Sequence, residues 1–84
     1  MDLREAINTP HAAEQMQRRQ IGAADVRAVL AAPEDVRPVR AGRVVLHGMM
    51  DECLLRVFVD VDRTPPEVVT VYRTSKIDKY RSKA

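Results

Sequence analysis

The hydrophobic pattern changes its period at Pro33, and this change limits the folds open to the chain more than any other feature. Before Pro33, apolar residues recur with approximately helical spacing. After Pro33, short runs rich in valine and leucine are separated by turn residues, which is typical of strands. Helices that precede all the strands indicate an α+β domain, because a parallel βαβ fold needs a helix between strands. With 84 residues, the chain is expected to form one domain, residues 1–84.

Two helices are predicted before Pro33. The first begins at Thr9-Pro10, because a threonine hydroxyl caps a helix N-terminus and proline fits the first helical turn. It ends near Ile21, and the second helix runs from residue 23 or 24 to a point before Pro33. Each helix has one apolar side, so the pair is expected to form a hairpin that packs on one face of a sheet. The apolar positions are Ala12, Ala13, Met16 and Ile21 in the first helix and Val26, Val29 and Leu30 in the second.

Four strands are predicted after Pro33. They cover residues 36–40, 43–47, 53–61 and 67–72. Residues 41–42 and 48–52 are predicted turns, and residues 62–66 form a proline-containing loop. Pro38 makes the first strand an edge strand, and the short connections favour an antiparallel meander. The expected fold is therefore an α+β domain in which an N-terminal helical hairpin packs on a curled four-stranded antiparallel sheet.

The C-terminal segment is strongly basic. Residues 73–84 contain five basic side chains and one acidic one, whereas the rest of the chain has nine basic and eleven acidic side chains. Residues 74–83 are expected to form a short basic helix or tail, with Ile77 and Tyr80 packed back on the sheet. A basic segment on a slightly acidic body indicates an anionic partner, such as a nucleic acid or an acidic protein, or else a solvated terminus.

Composition limits where the protein acts. The single cysteine, Cys53, excludes an intrachain disulfide and fits a reducing compartment. No apolar run approaches the roughly 20 residues of a membrane span, and the N-terminus lacks a signal-peptide pattern. A soluble cytoplasmic protein without a membrane partner is therefore expected.

The two histidines are candidates for acid–base chemistry rather than for metal binding. His11, His47 and Cys53 do not have the spacing of a zinc site, so no metal and no cofactor is expected. Histidine titrates near neutral pH, and His11 and His47 are the side chains best suited to acid–base work there. Because His47 adjoins a predicted turn, a structural role is the more typical interpretation for it.

A group of polar residues interrupts the predicted sheet. Arg56 stands within an otherwise apolar strand, and Thr70 and Tyr72 lie on one side of the next strand. If Arg56 pairs with Tyr72, the three residues share one face, whereas a slip of one residue separates them. Arginine can stabilise the charge of a phosphorane, and tyrosine or histidine can transfer protons, which is what metal-independent cleavage of RNA requires. The same residues also suffice to bind phosphates without cleaving RNA.

Several segments resemble the family called domain of unknown function 4258. The resemblance covers roughly residues 9–81, and its closing part, residues 68–80, is the most specific. The sequence departs from the family at Gln20, where glycine or another turn-compatible residue is frequent. The segments that carry the resemblance are His11-Ala12, residues 16–21, Asp25-Val26, Val29-Leu30, Pro33, Gly42-Arg43, residues 54–57 and residues 68–80.

The order of elements is also similar to that of BrnT-type toxins, which have the RelE/ParE-like fold. This similarity implies a ribonuclease toxin that acts on RNA and is neutralised by a cognate antitoxin protein. By motif position it implies the catalytic residues His11, Arg56, Tyr72, Lys76 and Tyr80. The expected nucleic-acid-binding residues are Arg73, Lys76, Lys79 and Arg81.

Two alternatives stand beside the ribonuclease hypothesis. The first is a non-catalytic module that uses the same cationic surface to bind a nucleic acid or an acidic partner protein. The second is an interaction domain whose exposed strand edge pairs with a partner or with a second copy.

Overall fold

The computed structural model describes residues 3–77, which form five strands and two helices. Both helices precede the four long strands, as the change of hydrophobic period predicts, and the α+β class is confirmed. In chain order, the elements are β1 (Ile7–Asn8), α1 (Pro10–Arg18), α2 (Ala23–Ala31), β2 (Asp35–Arg40), β3 (Arg43–Met50), β4 (Cys53–Asp60) and β5 (Glu67–Thr74).

The sheet is mixed, with the strand order β1-β5-β4-β3-β2. Strands β2 to β5 form the predicted antiparallel meander, whereas β1 pairs in parallel with β5. The expectation of a four-stranded antiparallel sheet is therefore wrong. Strand β1 consists of two exposed residues, so it has no alternating apolar pattern that a sequence could reveal. Its pairing is made by backbone hydrogen bonds, in which Ile7 N donates to Pro66 O (2.9 Å) and Thr9 N donates to Val68 O (3.0 Å).

The expectation of a helical hairpin is also wrong, because the two helices pack on different parts of the sheet. Helix α1 packs against β5 and β1, and α2 packs against β3 and β4. Two side chains hold α1 at the outer edge of β5: the Thr9 hydroxyl donates to Val68 O (3.0 Å), and Gln15 Oε1 accepts from Val71 N (3.0 Å). The Gln15 side chain gives Val71 N a partner at the strand edge, and the Thr9 hydroxyl adds a second hydrogen bond to Val68 O, which also accepts from Thr9 N. The apolar spacing of a helix shows that one side is buried, but not which surface buries it.

The predicted N-terminus of α1 is confirmed. Thr9 has an extended backbone, and its side-chain oxygen accepts a hydrogen bond from Ala12 N (3.2 Å). Pro10 is the first helical residue, where the missing N–H needs no partner. The same threonine thus starts the helix and ties it to β5.

The hydrophobic core lies between the two helices and one face of strands β3, β4 and β5. Helix α2 approaches β3 most closely at Gly48, where a Cβ atom would lie 2.6 Å from Val29 Cγ2. A side chain at this position would push α2 away from the sheet, which explains a glycine inside a strand. The buried core residues include Ala12, Met16, Ile21, Val26, Val29, Leu30, Leu46, Met50, Leu55, Val57, Val59, Val68 and Val71.

Two strand boundaries differ from the predicted ones by more than one residue. Strand β3 continues to Met50, because Gly48 contacts α2 and does not form a turn. The connection to β4 is the dipeptide Asp51-Glu52, with Asp51 at a φ of 55°. Strand β5 extends to Thr74, and most of the helix or tail predicted over residues 74–83 lies outside the described residues.

Helix α1 ends in a Schellman-type turn. Ile21 N donates to Met16 O (2.8 Å) and Gln20 N donates to Gln17 O (3.3 Å). Gln20 lies at a φ of 56°, in the left-handed region that glycine adopts at little cost. Met16 and Ile21 are both buried, which is the apolar contact that accompanies this motif. The position where the sequence departs from the family it resembles is thus a position that favours glycine.

We expect Gln20→Gly to raise the free energy of unfolding by about 1 kcal/mol, because it relieves the left-handed conformation of a residue with a Cβ. Urea denaturation should show a higher midpoint with an unchanged m-value. Gln17→Gly is the matched control, since Gln17 is exposed inside α1 and glycine there costs about 1 kcal/mol. Equal destabilisation by both variants would contradict the assignment of this turn.

Candidate functional site

Four polar side chains lie side by side across four strands, on the face of the sheet opposite the helices. Asp35 pairs with His47, His47 with Arg56, and Arg56 with Tyr72. Their chain neighbours in β3, β4 and β5 include residues of the helix-side core, and side chains alternate between the faces of a strand. The four residues therefore share the other face, and we call them the polar row.

Arg56 is the central member of the polar row. Its Nε donates to His47 Nε2 (3.0 Å), and its Nη1 donates to the hydroxyl oxygen of Tyr72. The guanidinium thus connects side chains of β3 and β5 across the strand between them. Because the Tyr72 oxygen accepts from Arg56, the hydroxyl keeps its own proton as a donor to a further acceptor.

His47 is buried, with 2% of its surface exposed. Arginine Nε is always a donor, so His47 Nε2 must be the unprotonated acceptor and the neutral ring carries its proton on Nδ1. Nδ1 lies 3.6 Å from Asp35 Oδ2 and has no hydrogen-bond partner within residues 3–77. Burial lowers the pKa of His47, and the charge of Arg56 acts in the same direction, whereas Asp35 opposes it. The imidazole is therefore held neutral.

Carboxylates neutralise other arginines of this face. Asp35 Oδ2 accepts from Arg37 Nε (2.6 Å), and this hydrogen bond is the main reason why the pKa of Asp35 is lowered. Asp60, which is buried, accepts from Arg43 Nε (2.6 Å) and Nη2 (3.1 Å), and this pairing lowers the pKa of Asp60. The hydrogen bonds of Arg56 include those to His47 and Tyr72.

Aromatic rings surround the guanidinium of Arg56. The rings of Phe58 and Tyr72 are stacked, with centroids 6.1 Å apart. The guanidinium carbon of Arg56 lies 5.1 Å from the Phe58 centroid and 5.3 Å from the Tyr72 centroid. Arg19, just after α1, brings a second guanidinium to 5.9 Å from the Tyr72 centroid. These distances are within the range of cation–π attraction, so two cations meet one phenol at this place.

The sequence left open whether Arg56 pairs with Tyr72. The structure shows that it does. Arg56 lies opposite Tyr72, and Phe58 lies opposite Thr70, so Thr70 shares their face. Arg56 and Tyr72 are each partly exposed, unlike His47. The structure therefore brings Arg56 and Tyr72 together on one face of the sheet.

Other predicted site residues lie apart from the polar row. His11 is exposed near the start of α1, eight residues or about 12 Å of helix before Arg19. Arg73 pairs with Leu55, a residue of the helix-side core, and so belongs to the opposite face.

The predicted residues of the basic segment lie at or beyond the end of β5. Lys76 is exposed, and its backbone N–H donates to Thr74 Oγ1 (3.0 Å). Three further candidates lie outside the described residues: Lys79, Tyr80 and Arg81.

Sequence reasoning missed Asp35 and Arg19 and favoured a structural role for His47. The two-residue turn after β3 pairs Met50 with Cys53 and, three pairs further along, His47 with Arg56. Recognising Asp51-Glu52 as the turn would have revealed this pairing. No local pattern marks Arg19, because it meets Tyr72 only through the packing of α1 on β5.

The fold and the polar row define a small α+β domain with a row of polar side chains across one face of a mixed five-stranded sheet. The chain belongs to the family described as domain of unknown function (DUF4258), whose sequence model matches residues 8–73. The match includes both helices and every member of the polar row. No curated protein and no solved structure matches the chain.

Residues 3–77 contain neither a membrane-spanning helix nor a cluster of metal-ligating side chains. No helix there is long and apolar enough to cross a bilayer. No group of three or more histidine, cysteine, aspartate or glutamate side chains is placed to hold a metal ion.

We expect the stability of the domain to fall as the pH decreases below about 6.5, the ordinary pKa of histidine. The lowered pKa of buried His47 means that the unfolded chain takes up a proton that the folded chain does not bind. The free energy of unfolding therefore rises with pH in this window, by at most about 1.4 kcal/mol per pH unit. Asp35 acts in the same direction at lower pH, because its pKa is lowered from 3.8.

Urea denaturation between pH 5 and 8 measures this dependence in the wild type, in His47→Gln and in His11→Gln. His47→Gln should flatten the dependence around pH 6, whereas His11→Gln replaces an exposed histidine and should leave it unchanged. The assignment to His47 fails if the two variants behave alike.

Proposed function

We propose that the protein is a toxin-type endoribonuclease that cleaves RNA by attack of the 2′-hydroxyl on the adjacent phosphate, without a metal ion. The observation that carries the proposal is the Arg56–Tyr72 pair, in which a guanidinium and a phenol are hydrogen-bonded on a partly exposed sheet face. A phosphate bound there would meet a cation and a proton donor at once.

The proposed reaction gives each group one role. The 2′-oxygen forms a bond to phosphorus, its proton passes to water, and the bond from phosphorus to the 5′-oxygen breaks. Tyr72 donates its hydroxyl proton to the departing 5′-oxygen and then regains a proton from water, and Arg56 stabilises the negative charge that develops on the phosphorane. The products are a 2′,3′-cyclic phosphate and a 5′-hydroxyl.

Electrostatics supports this assignment of Arg56. Positioned cations are most effective where charge develops in the transition state, and arginine can contact two phosphate oxygens at once. Arg56 donates through Nε to His47 and through Nη1 to Tyr72, so its guanidinium is fixed beside the phenol that would donate the proton. Arg19 adds a second cation near the Tyr72 ring.

The toxin assignment rests on the resemblance of the chain to BrnT-type toxins of the RelE/ParE-like fold. The closing motif, residues 68–80, contains Tyr72 and leads into the basic segment. The positive charge of residues 73–84 would attract an RNA strand towards the C-terminal end of β5. In this proposal a cognate antitoxin protein neutralises the activity, and His11, at the far end of α1, takes no part in the step.

We expect Tyr72→Phe to lower the rate of RNA cleavage about 100-fold or more, the usual contribution of a proton-transferring side chain. Arg56→Ala should lower it about 100- to 1000-fold, because one charge-stabilising group is lost. Cleavage of a single-stranded RNA is followed by gel electrophoresis, and the end group identifies the cyclic phosphate. Arg27→Ala is the control, since Arg27 is an exposed arginine on α2, away from the polar row.

Thermal unfolding must show that the Tyr72 and Arg56 variants still fold. In cells, expression of the wild type should arrest growth, and the same two substitutions should relieve the arrest. If the folded wild type leaves RNA intact at high concentration and permits growth, the ribonuclease proposal is wrong.

One observation favours a second function, a non-catalytic RNA-binding module. Within residues 3–77, two members of the polar row are partly exposed and able to transfer protons, Asp35 and Tyr72, and the carboxylate of Asp35 is held by Arg37 with a lowered pKa, which leaves Tyr72 as the proton donor beside Arg56. RNA would then bind through Arg56 and Arg19 without being cleaved.

This second function predicts binding that weakens steeply with salt, with a slope of about −0.7 in log–log form for each phosphate neutralised on a single strand. Fluorescence anisotropy of a labelled RNA between 50 and 300 mM salt measures the slope. Arg56→Ala should reduce the magnitude of this slope by about 0.7, the value for one phosphate contact, and Arg27→Ala should leave the slope unchanged. Intact RNA after long incubation, together with this slope, would select binding over cleavage.

A further inference from the structure

We infer that His47 is a positioning residue, whose neutral imidazole holds Arg56 in the orientation that presents its guanidinium to Tyr72 and to a bound phosphate. The inference rests on the proposed function where it concerns activity, and it adds a regulation of that site by pH. It concerns a side chain that the proposed reaction itself does not use.

The first argument is the way in which Arg56 is fixed. An arginine side chain has several rotatable bonds, and ordering it costs conformational entropy. Here Nε is bound by His47 from β3 and Nη1 is bound by Tyr72 from β5. Because the guanidinium is planar, two such bonds on different nitrogens define the plane of the group.

The second argument is that His47 is itself held in place. His47 is only 2% exposed, and it lies between Asp35 on one neighbouring strand and Arg56 on the other. Asp35 Oδ2 lies 3.6 Å from Nδ1, on the side that carries the proton of the neutral ring. A carboxylate on this side favours the tautomer that leaves Nε2 as an acceptor for Arg56.

The third argument is the effect of a second proton on the imidazole. Protonated His47 would place an Nε2–H opposite the Nε–H of Arg56, so that two donors and two positive charges face each other at 3.0 Å. The charged groups that face the ring are Asp35 and Arg37 from β2 and Arg56 from β4. Protonation would therefore release Arg56 from its anchor and move it away from the phosphate site.

The polar row is not a proton relay. Arg56 stands between His47 and Tyr72, and arginine stays protonated in proteins, so it cannot pass a proton from one to the other. His47 therefore acts by positioning Arg56 and is not itself a catalytic acid or base.

Two substitutions at His47 separate the acceptor from the titration. His47→Gln keeps an oxygen that can accept from Arg56 but does not titrate, whereas His47→Leu removes the acceptor. We expect His47→Leu to lower kcat for RNA cleavage about ten- to a hundredfold, with a smaller change in KM, since a hydrogen bond to a charged group is lost. His47→Gln should lower kcat less and should abolish the fall of activity that protonation of His47 causes at acid pH, a fall expected only well below 6.5 because burial lowers the pKa of His47. His11→Gln should keep the wild-type pH profile, and retention of the acid limb by folded His47→Gln would overturn the inference.

A measurement without RNA keeps the inference testable if the protein is not a ribonuclease. Long-range ¹H–¹⁵N NMR distinguishes a protonated Nδ1 from a protonated Nε2, and the two histidines are assigned with the His11→Gln variant. We expect a neutral His47 with its proton on Nδ1 at pH 7.5 and a slowly exchanging Arg56 Nε–H. The Nε–H signal should persist in His47→Gln and exchange rapidly in His47→Leu. An Nε2–H tautomer, or an Arg56 signal that is indifferent to His47→Leu, would overturn the inference. Intact RNA with the expected spectra would contradict only the proposed function.

Discussion

The register of β3, β4 and β5 is the constraint on which both the core and the polar row depend. The short turn at Asp51-Glu52 pairs Met50 with Cys53 and fixes every later pair of these two strands. A slip of one residue in β4 would turn Arg56 towards the helices and its apolar neighbours towards the other face. A guanidinium in that apolar core would lose its hydration without gaining a partner, which is among the costliest changes a small domain can suffer. The apolar core on one face thereby keeps the polar row on the other.

The polar row shows how a small domain can bury a titratable group. Burying a polar side chain costs free energy unless new hydrogen bonds replace those it made to water. His47 makes one such hydrogen bond, in which Nε2 accepts from Arg56. Its other nitrogen, Nδ1, faces Asp35 at a distance longer than a hydrogen bond. This incomplete pairing is consistent with a function for the row, because structures tend to tolerate such costs at functional sites. The hydrogen bond from Arg56 Nε to His47 Nε2 also makes the position of Arg56 depend on the protonation of His47, a residue that no ligand needs to contact.

Some features of the fold were predictable because their causes are local. Thr9 and Pro10 start α1 through a cap and a fixed backbone angle, both of which depend on residues close in sequence. The alternation of apolar residues likewise predicts the long strands of the meander. Strand β1 and the separate docking of the two helices were not predictable, because both depend on the outer edge of β5. That edge is covered through backbone atoms and through Gln15, whose hydrogen bond to Val71 N spans 56 residues of chain.

The sequence by itself determined the class of the domain, the start of its first helix and the residue types from which a phosphate-binding face could be built. Only the tertiary structure decided which of these residues meet: Arg56 with Tyr72 and His47, but not with His11. The reason is that capping, turns and apolar periodicity act between residues within a few positions of each other. The contacts of the polar row depend instead on strand register and on the packing of α1 against β5, which the whole core fixes together.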